Sequence, residues 1–203
     1  MVSQIEDPKY TVGEVAAALN VPLATLRTWS GSERPERPSL PSTQPEAGSW
    51  RLFSLLDVVH LAAFGALRAH EGAIDSAKIM DEAARSQPGI WRKAVDGARL
   101  DAPGLLAGGA ESLPEAPRKH LLVFVARFGD RSDIDVDLWY DDATCWNAVA
   151  AQMREFFDDP AVGCQLGGSR VARLFRRSAA VYDIWPVILA ALAALPQGGA
   201  THG

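Results

Sequence analysis

Apolar residues recur at helical spacing over residues 12–19, where Val12, Val15, Ala16 and Leu19 fall at i, i+3, i+4 and i+7 and make one face. Thr11 stands just before this run and Glu14 three residues after Thr11, the pattern of a capping box. Asn20 suits a turn, because its short polar side chain tolerates a left-handed backbone. Pro22 then opens a second helix, where its missing N–H costs nothing. In that helix Val21 and Leu26 face back onto the first, while Leu23, Ala24, Arg27 and Thr28 face outward. The periodicity therefore predicts two short helices joined by a tight turn.

The pattern breaks over residues 30–49, where Pro and Gly recur too often for a regular element, and a long surface loop is expected. A short strand is predicted over residues 50–53. Ser54, with Asp57 at the capping-box position, starts a third helix that carries Leu55, Val58, Val59, Ala62 and Ala66 on one face and stops at Gly72. A fourth helix is expected over 76–85, ended by Gln87-Pro-Gly, and a shorter amphipathic piece over 90–97.

Residues 101–117 hold Pro103, Pro114, Pro117 and several glycines, and read as an interdomain linker. Beyond them the period shortens. Residues 120–128 read as a buried strand, 129–132 as a turn and 134–140 as an alternating strand, which together predict an antiparallel hairpin. Helices are expected over 144–157, 170–177 and 187–195. The fold class is α+β: a mainly helical N-terminal region and a small C-terminal α+β domain with an antiparallel hairpin. The expected division is a loose leader over 1–9, a domain over 10–100, the linker over 101–117 and a second domain over 118–197.

The chain of 203 residues is 48% apolar and 22% charged, which fits a globular protein with a real core. A net charge of -5 gives no global attraction to nucleic acid, so any such binding must come from a local basic surface. Residues 1–100 carry 11 Lys/Arg against 12 Asp/Glu, and the remainder 9 against 13. Only Cys145 and Cys164 are present, with no His at ligand spacing, so two buried free thiols are expected and no metal or other cofactor is implied. The N-terminus lacks the basic and apolar regions of a signal peptide, and the longest apolar run is too short to span a bilayer. A cytoplasmic location with no membrane partner is expected.

Three stretches carry a further resemblance: Tyr10-Thr-Val-Gly-Glu-Val-Ala, then Val21-Pro-Leu-Ala-Thr-Leu-Arg-Thr-Trp29, then Arg51-Leu-Phe-Ser-Leu-Leu-Asp-Val58 running on to Gly72. In order and content they resemble the MerR family of winged helix-turn-helix transcription regulators, over residues 10 to about 85. The resemblance implies a bacterial, sequence-specific DNA-binding regulator that works on double-stranded DNA as a homodimer, the Pro-rich loop swelling its wing. It implies that Arg27 reaches a phosphate or base edge, that Trp29 touches the DNA backbone, and that Arg51 contacts phosphate from the wing. Arginine forks suit both phosphate and guanine. The family's small polar cap is replaced here by Pro22. The outward Leu23 and Ala24 offer apolar contact to a thymine methyl, beside Thr28. Arg34 and Arg37 in the loop are candidates for added backbone or minor-groove contacts, set against Glu33, Glu36 and Glu46. The family's long pairing helix and metal-sensing cysteines are absent, so residues 120–195 would have to supply the dimer contact or a pocket for a small-molecule or protein effector.

Other constellations carry less. Asp133, Asp135 and Asp137 alternate and share a strand face, followed by Asp141 and Asp142. A carboxylate metal cluster is the sharp reading, but no base, nucleophile or glycine loop joins it, and a solvated face is favoured. An enzyme is not expected. Arg170, Arg173 and Arg177 form a stripe at i, i+3 and i+7, with Arg176 beside it. The aromatics Trp139, Tyr140, Trp146, Phe156, Phe157, Tyr182 and Trp185 suit core more than an effector pocket. Two rival readings remain: a phage or mobile-element DNA-binding adaptor of excisionase or small-terminase type, and a winged-helix module that binds protein.

Overall fold

The computed structural model describes residues 5–31, 38, 40, 51–101, 120–128, 131–141, 150–151 and 177–196. Among these it is α+β: helices with two small antiparallel sheets. Strand β1 (Tyr10–Thr11) leads directly into α1 (Val12–Ala18), followed by α2 (Leu23–Trp29), β2 (Leu52–Phe53), α3 (Leu55–Glu71), α4 (Ala73–Ser86) and α5 (Ile90–Asp101). The later elements are β3 (His120–Phe128), β4 (Arg131–Asp141), β5 (Arg177–Asp183) and α6 (Trp185–Ala193). No helix among the described residues is long and apolar enough to cross a membrane.

Local chemistry accounts for the N-terminal elements. Both expected capping boxes form: Thr11 and Glu14 close α1, Ser54 and Asp57 close α3. Asn20 turns with φ 52°, and Gly72 with φ 77° ends α3. The same glycine starts α4, which opens at Ala73 rather than Ser76. Helix α5 runs on to Asp101, past its expected end.

Residues 5–9 are not a loose leader. Ile5 is buried and its carbonyl accepts from the Leu56 N–H at 3.2 Å, the Lys9 N–H donates to the Phe53 carbonyl at 3.0 Å, and Glu6 pairs with Arg92. The Lys9 bond adjoins the pairing of β1 and β2, in which Tyr10 lies opposite Phe53 and Thr11 opposite Leu52.

Helix α3 is the hub. The expected stripe was one-sided, yet every residue from Leu55 to Phe64 is buried. A helix apolar around its whole girth belongs inside a protein, and α4, α5 and α6 all pack on it. The second sheet has order β4-β3-β5, all antiparallel, so the expected hairpin gains a third strand. Residues 170–177 were expected to be helical, but Arg177 begins β5, paired to β3 with Phe124 opposite Val181. The basic stripe therefore does not continue through Arg177. Leu121, Leu122 and Val123 are consecutive and all buried, so the central strand is covered on both faces.

The two expected domains do not have separate interiors. Strand β4 packs on α4 and α5, α6 packs on α1 and α3, and one apolar cluster runs from Ile5 to Leu195. At the seam, the Tyr182 hydroxyl donates to Glu71 at the end of α3, and the rings of His70 and Tyr182 stack at 5.2 Å. His120 Nδ1 lies 2.8 Å from Asp183 Oδ2, while Asp183 Oδ1 accepts from the Trp185 N–H at the start of α6. The expected linker apart from Asp101, the expected helix over 144–157 apart from residues 150–151, which are helical, both cysteines, Asp142, Trp146, Phe156, Phe157, Arg170, Arg173 and Arg176 lie outside the described residues.

Candidate nucleic-acid interface

Helix α2 is short, and its two faces differ sharply. Leu26 and Trp29 point inward and are buried, whereas Pro22, Leu23, Ala24, Arg27 and Thr28 are exposed. The outward surface is thus the one the pattern predicted. Leu23, at 40% exposure, is its most prominent apolar group. Thr28 Oγ1 donates back to the Ala24 carbonyl at 3.0 Å and keeps its lone pairs for other donors. Arg27 makes no hydrogen bond or ion pair among the described residues.

Trp29 departs from expectation. The resemblance put it against a DNA backbone, but the side chain is only 7% exposed and belongs to the core. Its ring meets Phe64 edge-on, with centroids 5.3 Å apart at 85°. It also lies against Gly65, where an added Cβ would come within 3.2 Å of Cζ3 and Cη2. The cause is its spacing: Trp29 follows Leu26 by three residues, so both share the inward face. That spacing was visible in the sequence.

Arg51 is also largely committed. Its Nη1 donates to the Ser30 carbonyl at the end of α2, and the guanidinium lies 5.3 Å from the centroid of Phe53. Burial lowers the affinity of this guanidinium for its proton, and the nearby charge of Asp57 opposes that shift. A cation at a helix C-terminus favours the exposed carbonyls there. Arg51 thus fastens β2 to the end of α2. Arg34 and Arg37 lie outside the described residues.

A cation that sequence reasoning passed over stands beside α2. Arg68, exposed on α3, places its guanidinium carbon 5.7 Å from the centroid of the Trp29 ring. Lys9, also exposed, lies 5.1 Å from the centroid of Tyr10. Behind α2, an apolar cleft of about 310 Å³ is lined by the α1–α2 turn, Trp29, α3 and α6. Among the described residues no cluster of His, Cys, Asp or Glu is arranged to hold a metal ion. The register puts Asp135 opposite Ala126 and Asp137 opposite Phe124 on β4. No protein-family model, curated protein or solved structure matches this chain.

Proposed function

We propose that the chain is a sequence-specific DNA-binding regulator of MerR-like type, whose α2 enters the major groove of double-stranded DNA. The observation that carries this reading is the outward face of α2. It combines an uncommitted arginine, a free hydroxyl acceptor and small apolar groups on a helix whose opposite side is anchored by Leu26 and Trp29. Arginine reads guanine or phosphate, and apolar groups read the thymine methyl. On this reading the paired β1 and β2 would serve as a wing along the flanking backbone. A single such module buries a small area, so working affinity calls for a homodimer.

Selection of bound duplexes from a random DNA pool, with wild type and Arg27→Ala in parallel, tests the reading. The expected result is a palindromic motif that the variant loses, with specific binding weakened by about 1–3 kcal/mol. Equal enrichment by both proteins removes Arg27 from the interface, and no enrichment by either removes the function.

The exposure of Leu23 favours a second reading, in which the same face binds a protein. The two readings differ in salt response. Contact with DNA releases counterions and weakens steeply with salt, whereas an apolar protein contact does not.

A further inference from the structure

We infer that Arg68 is a second phosphate contact of the α2 surface, with Trp29 as the residue that positions it. The inference rests on the DNA-binding reading above and adds α3 to the interface. Arg68 is exposed and pairs with no carboxylate among the described residues; its guanidinium lies over the face of Trp29. Glu71, the acid nearest Arg68 in sequence on α3, accepts from the Tyr182 hydroxyl.

The support under Arg68 is rigid. Trp29 is wedged between Phe64 and Gly65, one turn back on the same helix that carries Arg68. A guanidinium stacked on a fixed aromatic face keeps its fork exposed and loses less freedom when it grips an oxygen pair. Trp29 is the last residue of α2, so Arg68 lies beside the C-terminal end of the helix whose outward side carries Arg27. Both guanidinium groups are exposed and free of carboxylate partners among the described residues, on a chain of net charge -5. A polyanionic strand lying along α2 would meet both.

The test is the salt dependence of binding of a fluorescent mixed-sequence duplex to the full chain. Arg68→Gln is compared with wild type, with Arg68→Lys, and with Arg85→Gln near the C-terminal end of α4. Arg85 is exposed and pairs with Glu82, and it serves as the control for net charge. Loss of one phosphate contact lowers the slope of log K against log salt by about 0.9, so the difference in affinity from wild type narrows about threefold for a fourfold rise in salt. That change in Arg68→Gln, with wild-type slopes in Arg68→Lys and Arg85→Gln, is the expected result. A merely structural role for Arg68, neutralising the end of α3, would shift thermal stability and leave the slope unchanged. An unchanged slope in Arg68→Gln overturns the inference while leaving the DNA reading intact, as does an equal change in Arg85→Gln. A flat salt response in the wild type overturns both. If Arg68→Gln does not fold, Arg68→Met takes its place: a slope lowered by about 0.9 supports the contact, and a wild-type slope overturns it.

Discussion

Trp29 shows how one side chain serves two neighbours. Its ring fills the space between α2 and α3, and the missing side chain at Gly65 admits it. Truncation to Trp29→Ala removes a buried indole that the backbone cannot follow inward, and should cost about 3–5 kcal/mol in urea unfolding. Gly65→Ala is the complementary case. Alanine in a helix interior ordinarily gains about 0.5–1 kcal/mol over glycine. Here the new Cβ would press on a ring already held by Phe64, so the gain is lost and the urea midpoint should fall. A raised midpoint would mean that the indole has room to move. The sequence held half of this account. The spacing of Leu26 and Trp29 gave the inward direction, but nothing local told Gly65 from any other helical glycine, because the indole that needs it lies on a different element.

The elements divide by how local their causes are. Both capping boxes were legible because donor and acceptor lie three residues apart. They differ in environment. Asp57 and Ser54 are buried, while Thr11 and Glu14 are partly exposed. Loss of a cap costs about 0.5–2 kcal/mol, and a buried donor left without its acceptor costs about 1–3 kcal/mol. Ser54→Ala should therefore destabilise the protein by about 1–2 kcal/mol and Thr11→Ala by about half that, as read from urea midpoints at constant m. Equal losses would show that burial at Ser54 adds nothing. Strand β5 marks the other extreme. Its residues Ser178, Ala179 and Ala180 have no strong strand preference, and the arginines before them fall at helical spacing. What makes it a strand is β3, whose Val125 lies opposite Ala180 and whose remaining edge would otherwise go unpaired. No window along the chain contains both partners.

At the scale of the whole molecule, the outward face of α2 was legible, but the shared core behind it was not. Linker-like composition suggested two domains, yet α6 returns from the far end of the chain to cover α1 and α3. Trp185, Ile188, Leu189 and Leu192 are all buried there. Four such side chains stabilise by about 1.5–3 kcal/mol each, comparable with the entire net stability of a domain, about 5–15 kcal/mol. The α1–α2 unit is therefore not expected to stand alone. A chain ended after Asp101 should lose near-UV circular dichroism, bind a dye specific for exposed apolar surface and show no cooperative melt, whereas the full chain melts in one transition. A sharp melt of the shortened chain near the full-length midpoint would instead establish an autonomous N-terminal unit and make α6 dispensable cover. If the full chain behaves as one unit, a change anywhere along α6 reaches the back of α2 through the apolar cleft they share. Ile188→Ala should then destabilise the fold by about 2–5 kcal/mol, although it lies at neither the outward face of α2 nor a cap.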